Sequence, residues 1–499
     1  MKKVLKRGFL ILGIIAIAAL LIWLMFFITD SITLSRSVVL NRYDGETVFG
    51  YEEGIIQRDL TKEEALEDLS WYKDVALEVH LKLQNEKERG QFLEAYESVF
   101  TDLSREIDRS AEKRIPVDRF AMHLSKLAAV IGDAHTYVRY IKGIGEEESL
   151  LRLPLEFKSL SDGLVISAVY EAFSTDDYKD IQEGMAVTAI NDKALKEYKE
   201  QAYPYFSAEN SQWQDYLLSN YLPYAYFNNY LDASGETDSI RLTLQNTEGE
   251  HYSLELPYVL MERKTEHPEK RESYGAEFLT DSQTAFFWLD SCRYTEDYLN
   301  AVDQFFEGVK ERNIEKVVVD IRENTGGSSM VVWPFLKYLG VEKTKDYDAD
   351  IRYCGTTIKR CHITTMNRFL RSLRKLVSLG NLYLDKPDYP DNIFDGDFYV
   401  LVSGKTFSSG NYFATMLSDN NLAKTVGTPT GNAPSAYGDP IVFTSKNAQL
   451  PFYISYKRFV RPDETKDPAT ELTPDVSVPY TVSDYQNRTD PQLNWIINQ

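Results

Sequence analysis

Cysteine is scarce, and that scarcity excludes two architectures at once. Three cysteines, Cys292, Cys354 and Cys361, in 499 residues cannot build a disulfide framework or a four-cysteine zinc site. Cys354 and Cys361 are near enough in sequence to pair, a point the sequence leaves open. Histidine is also rare: six occur, His80, His123, His135, His251, His267 and His362. There is no HExxH, and no His/Cys/Asp cluster has metal-ligand spacing, so no metal is expected. Positive charge is short as well, with 55 Lys and Arg against 76 Asp and Glu and a net charge of −21. That balance disfavours binding to phosphate backbones, and nucleic acid is not an expected partner. Repeats and low-complexity tracts are absent. The stretch Ser403–Leu417 looks superficially like a phosphate loop, but Tyr399 stands where G-x-x-x-x-G-K-[ST] needs its first glycine; nucleotide binding is rejected and no cofactor is implied.

What is present begins with one apolar run. Gly8 to Ile28 carries no charge, and at 1.5 Å per residue it spans about 30 Å, the thickness of a bilayer core. Lys2, Lys3, Lys6 and Arg7 precede it and Asp30 comes after it, which orients the N-terminus to the cytoplasm and the rest outside. A cleaved signal peptide is the alternative. The run is longer than a secretory h-region and ends in bulky MFFIT, which favours a retained single-pass anchor. With 43% hydrophobic and 13% aromatic residues, the remainder reads as folded, and its length suggests about three domains.

The expected organisation is an anchor at 1–29, an extracytoplasmic tether at 30–60, a helical domain at 61–148, a β-rich module at 149–262, a charged linker at 263–276 and an α/β core at 277–499. The helical domain opens with a Thr61…Glu64 capping box and keeps three- and four-residue apolar spacing. Short β-like runs come next at Leu164–Tyr170 and Met185–Ile190, with a tyrosine-rich helical stretch at Tyr203–Leu231. Beyond the linker, strands alternate with helices, which implies parallel βαβ layers with ligands at the carboxyl ends of the strands. An insertion at 345–390 carries MNRFLRSLRKLVSL, an amphipathic helix expected to pack on the core, with a lid over the site as the alternative.

Three clusters have the composition of chemistry. Val317–Ser329 is a strand ending in Asp320 and Arg322, followed by Asn324 and Gly326-Gly327, a pair able to expose backbone N–H groups. Ser403–Leu417 is a strand, a small-residue turn and a helix, with Ser408 and Ser409 at the helix start, as nucleophile or as ordinary N-cap. Gly132–Val138 places His135 in a Gly/Asp/Thr turn, where a base of near-neutral pKa would be useful to a serine.

In order, the G-D-x-H-T turn, the β-module, D-x-R-x-N-x-G-G and T-x-S-x-x-x-x-F-A resemble the S41 peptidase family of C-terminal processing and tricorn-type serine proteases. Pro474–Val478 and the Asp-Tyr…Asp-Pro-x-Leu ending add to the resemblance. It implies a ClpP/crotonase-like core, a PDZ-like module around Gly184–Val187 and Ile190–Lys193 that captures an extended peptide, and serine endopeptidase activity on peptides or unstructured C-termini. It further implies Ser408 as nucleophile, with Ser409 N–H and Gly326 or Gly327 as oxyanion donors. Thr430–Gly438, where the processing peptidases carry a lysine base, has none. The resemblance is therefore to the histidine-dependent tricorn-like branch, with His135 as base and Glu471 as orienting acid; Asp463, Glu464 and Asp467 are rivals for that role. Ala134 replaces the second serine of the tricorn-type set, and Asn411 a glutamate found in many members. Those two departures motivate the alternative of a catalytically silent peptide-binding scaffold; a hydrolase of a non-peptide or cell-wall substrate is a further alternative.

Overall fold

The computed structural model describes every residue except 1, 43–58, 140–148, 174–175, 233–236, 263–270, 342–343, 378–389 and 391–392. Helix α1 (Lys2–Ser35) contains the apolar run. It does not stop at Ile28: the polar continuation stays helical, and a further turn at Val38–Arg42 buries Val39 completely. The first part of the expected tether is therefore docked structure. Ser37 and the Val39 backbone are held by the Glu78 carboxylate, at 2.6 and 3.0 Å.

The helical unit is α2 (Lys62–Val79), α3 (Glu86–Arg109) and α4 (Val117–Ala129). Thr61 and Glu64 form the capping box read from sequence. Apolar positions at helical spacing bury Leu69, Tyr72, Phe92 and Phe120, and this core is completed by Phe443 and Phe452 from far along the chain.

The β-rich unit is built on an antiparallel sheet whose long strands are β1 (Leu155–Ser159), β2 (Leu164–Val169), β3 (Ala186–Ile190), β4 (Ser239–Gln245) and β5 (His251–Pro257), in the order β5-β4-β3-β2-β1, with the short strand Lys193–Ala194 on β3; Ser149–Arg152 and Val259–Glu262 pair separately. Between β3 and β4 lies α5 (Ser211–Tyr221), within the tyrosine-rich stretch.

The last unit runs β6 (Tyr274–Leu279), β7 (Thr284–Leu289), α6 (Glu296–Glu311), β8 (Lys316–Asp320), α7 (Gly355–Cys361), α8 (Thr365–Val377), β9 (Asp397–Val402), α9 (Ser409–Asp419), β10 (Lys424–Gly427), β11 (Tyr437–Thr444), β12 (Pro451–Val460) and β13 (Val476–Ser477). Strand β6 starts inside the stretch expected as linker. The sheet order is β6-β7-β8-β9-β10-β13, antiparallel only between β6 and β7. Val317, Val318 and Val319 of β8 are all fully buried because both faces of a parallel sheet are covered. Asp320 is level with Leu401, so the turns leaving β8 and β9 emerge side by side at one carboxyl edge.

The long hairpin β11–β12, not anticipated from sequence, leaves this sheet and packs under the helical unit; β12 also pairs with Tyr137–Val138. All three cysteines are free thiols. Helix α8 meets α1 and the start of the insertion rather than the core: the Phe369 ring lies 5.4 Å from that of Phe26.

Candidate active site

The turn after β9 presents Ser408 on an unusual backbone, φ 54° and ψ −121°, a conformation side-chain-bearing residues rarely adopt. It is held from several sides. Ser408 N–H donates to Asn432 Oδ1 at 2.8 Å, and Phe407 N–H to the Asn324 carbonyl at 2.9 Å. Asn411, on the first turn of α9, donates its amide to the Asn432 and Ala433 carbonyls at 2.8 and 3.2 Å, fixing the loop that grips Ser408. Ser408 occupies the N-cap position of α9 without a side-chain capping bond. Its Oγ lies instead 3.0 Å from His135 Nε2.

His135 arrives from the other side of the chain, on the turn after α4. Asp133 Oδ1 accepts the His135 N–H at 3.0 Å, and Asp133 Oδ2 accepts the Thr136 hydroxyl at 2.6 Å. Thr136 Oγ1 in turn accepts Ser455 N–H from β12 at 3.0 Å, so the hairpin clamps the histidine turn. The imidazole stacks on Phe407, centroids 4.6 Å apart, and Phe407 on Trp213 of α5 at 3.8 Å. The serine elbow and the β-rich unit therefore both position the ring.

The charges around it have a definite order. His80 and Asp133 are fully buried, with Nε2 2.9 Å from Oδ2. His80 Nδ1 accepts Lys82 N–H, which puts the ring proton on Nε2, donating to Asp133. Burial alone would push the Asp133 carboxyl up; the hydrogen bonds it accepts from the His80 ring and the Thr136 hydroxyl hold it well below the usual range. Its Oδ1 is 3.9 Å from His135 Nδ1. Burial lowers the His135 pKa from its ordinary value, and the carboxylates of Asp133 and Asp439 and the Tyr437 carbonyl oppose that shift. A neutral imidazole facing a hydroxyl at 3.0 Å is able to accept its proton. Glu209 is the next acid, its Oε2 accepting Ala134 N–H at 3.3 Å. Burial and the Asp133 charge push the Glu209 carboxyl up to about 8. Asp133, His135 and Glu209 offer ligand atoms within 4.8 Å of one another. Three hydrogen bonds already converge on the Asp133 carboxylate, from His80, His135 N–H and Thr136.

Opposite the serine, Gly326 and Gly327 have φ of 109° and 134°. A Cβ on Gly326 would sit 2.7 Å from Ser408 Cβ and 3.2 Å from Ser409 N, so only glycine allows this approach. The two glycines are not equivalent. Gly326 N–H already donates to Asn324 Oδ1 at 2.8 Å. Among the described hydrogen bonds, Gly327 N–H and Ser409 N–H have no acceptor. Ser409 Oγ donates to the Gly327 carbonyl at 2.8 Å, joining the two turns.

Ser408, His135, Ser409, Gly326 and Gly327 thus come together. Glu471 does not join them: its carboxylate accepts the neighbouring Thr470 hydroxyl, and no hydrogen bond or ion pair links it to His135 among the described residues. Of its rivals, Asp463 accepts from Thr465, Asp467 accepts the Ser435 hydroxyl and Glu464 is exposed. The acid beside His135 is Asp133, two positions away within the same Gly-Asp-x-His-Thr turn; the motif itself was the signal. His80, Glu209 and Asn432 carry no local motif and come together only in the fold.

No curated protein matches the sequence. Residues 291–478 match the model of Peptidase family S41, a segment that holds Ser408, Ser409, Gly326 and Gly327 but not His135. The fold is similar to that of mature CPAF complexed with lactacystin (13% identity, TM-score 0.63, 88% of this chain and 97% of the other). A second structure, mature CPAF, is similar at 14% identity and TM-score 0.62, covering 88% and 96%.

Proposed function

We propose that this chain, a serine peptidase of family S41, is a membrane-anchored endopeptidase whose catalytic body lies outside the cytoplasm. It acts on peptides or unstructured protein termini. The observation that carries the catalytic reading is the 3.0 Å approach of Ser408 Oγ to His135 Nε2, on a serine whose backbone is held at positive φ. In this reading His135 takes the Ser408 proton as Oγ attacks the scissile carbonyl, and Asp133 stabilises the imidazolium that forms. The oxyanion is received by Gly327 and Ser409 N–H, the two donors not already engaged. Imidazolium then protonates the leaving amine, and water releases the acyl group by the reverse sequence. Substrate would be recruited by the β-rich module in the manner of strand addition. In support, β1 has one strand neighbour, β2, among the described residues, and Lys158 on β1 reaches Glu323, near the Gly326 turn, at 2.7 Å.

The segment just past the apolar run of α1 supports a retained anchor. The run ends in bulky MFFIT where a cleavage site carries small residues, and beyond it Asp30 and Ser37 bond the body through Thr365 and Glu78. The test incubates the protein with a diverse pool of unstructured peptides and reads products by mass spectrometry. Cleavage is expected for wild type and lost, to roughly a thousandth or less, in Ser408→Ala and His135→Ala. Undiminished cleavage by Ser408→Ala would overturn the assignment.

A further inference from the structure

Helix α8, in the insertion, is attached to the end of α1 and not to the active site. Three donors converge on Asp30 Oδ1: the Tyr353 hydroxyl at 2.7 Å, Thr365 N–H at 2.9 Å and the Thr365 hydroxyl at 2.7 Å. One turn further along each helix, the Phe26 and Phe369 rings meet at 5.4 Å, and Phe26 is only 6% exposed. Going from Asp30 back to Phe26 matches going from Thr365 forward to Phe369, so α8 starts by running antiparallel to α1.

That register fixes a depth. At 1.5 Å per residue, Asp30 lies about 3 Å beyond the apolar run that ends at Ile28, and Phe26 about 3 Å inside it. If α1 crosses a bilayer, the first turns of α8 pass through the boundary between headgroups and acyl chains. The side chains there suit it. Phe369 and Leu370 are 49% and 52% exposed, beside the equally exposed Met25, Phe27 and Ile28 of α1. Its first two turns, residues 365–372, carry Arg368 and Arg371 and no acid, in a chain whose net charge is −21. Both arginines fasten the helix to the body: Arg371 to Asp348 at 2.9 Å, and Arg368 over the Tyr353 ring at 4.4 Å.

We propose that the first two turns of α8, residues 365–372, are a second membrane contact, seated beside α1 at the headgroup boundary of the outer leaflet with Phe369 and Leu370 among the acyl chains and with Arg368 and Arg371 held back by Tyr353 and Asp348. This inference rests on the reading of α1 as a retained anchor. The body then has two attachments to the lipid instead of one, which fixes its orientation to the membrane and holds the insertion side against it.

The full chain, reconstituted in nanodiscs of phosphatidylcholine and phosphatidylglycerol containing a phosphatidylcholine with a diazirine-bearing acyl chain, is irradiated and its adducts are mapped by mass spectrometry. Adducts are expected on the apolar run of α1 and on residues 365–371. The double variant Phe369→Glu/Leu370→Glu should lose the α8 adducts by roughly tenfold while keeping those on α1. Its cleavage of soluble peptides should equal wild type, which reports that it is folded. Wild-type labelling on α1 alone would overturn the proposal and leave the anchor standing. Labelling on neither would overturn the anchor reading, and this inference with it. Undiminished α8 labelling in a folded double variant would also overturn it, since the adducts would then reflect proximity to α1 alone.

Discussion

At the scale of single residues, the proposed chemistry depends on which groups are charged when Ser408 must lose its proton. The His135 pKa is lowered chiefly by burial, so the acid limb of kcat/KM should lie below the ordinary histidine value of about 6.5. The enzyme should stay active as pH falls through neutrality and lose activity only as the neutral imidazole is titrated away. Asp133 opposes that shift, because its negative charge favours imidazolium. Asp133→Asn should therefore move the limb to still lower pH and cut kcat by about 10²-fold or more, since the imidazolium formed in the transition state loses its counter-charge. A pH profile of both enzymes checks both effects; a limb that moves upward would assign the charge elsewhere. Glu471→Gln, which touches neither His135 nor Ser408, should leave the limb in place. Much of this was legible in sequence. Ser408 and His135 sit in local motifs whose backbone geometry accompanies them, while the identity of the acid is a long-range question, and Glu471 is favoured in sequence by its place in the chain rather than by a contact. The nearer answer, Asp133, lies within the motif. Its role depends on His80, which arrives from the end of a different helix and leaves no mark in the spacing.

At the scale of elements, two turns at adjacent strand ends make the site, and their separation matters more than the composition of either. The parallel register of β8 and β9 brings Gly326 against Ser408 Cβ. A methyl group there would have to displace the elbow itself, and the Gly326 φ of 109° is strained for any L side chain. Gly326→Ala should therefore lower kcat by about 10²-fold or more while the protein still folds, with a stability loss of about 1–3 kcal/mol in denaturant unfolding. A variant with wild-type kcat would show that the turns are not held against each other as described. Alternation of strand and helix made this core readable in advance, because a strand such as KVVVD, buried on both faces, and an amphipathic α6 carry strong patterns. The β11–β12 hairpin was not readable. Within Tyr437–Thr444, Gly438, Asp439 at φ 51° and Pro440 have the composition of a turn, so only Ile441–Thr444 alternates as a strand should, and the partner Pro451–Val460 opens on a proline. The helical extension past Ile28 was hidden for another reason: DSITLS is held by contacts with Tyr353 and Thr365, far away in sequence.

At the scale of the whole molecule, base and nucleophile belong to units that touch largely through the hairpin, so the site exists only while the helical unit stays seated. Asp68 of α2 is the clearest fastening point. Fully buried, it accepts Ala448 N–H at 2.7 Å and the Asn447 N–H and side-chain amide at 3.0 Å each, at the turn between β11 and β12. Burial pushes its carboxyl up against these donors. Removing the acceptor leaves buried N–H groups without partners, at a cost of about 1–3 kcal/mol for each that water does not reach. Asp68→Ala should therefore lower unfolding stability by about 3 kcal/mol. Peptide cleavage should fail at a lower temperature than in wild type, although the substitution is remote from Ser408. Asp68→Asn keeps an acceptor oxygen and should fall between the two. Ser408→Ala supplies the opposite case, near wild-type stability with no cleavage. If Asp68→Ala melted like wild type yet cleaved poorly, the hairpin would be acting on the chemistry directly rather than by keeping His135 in place.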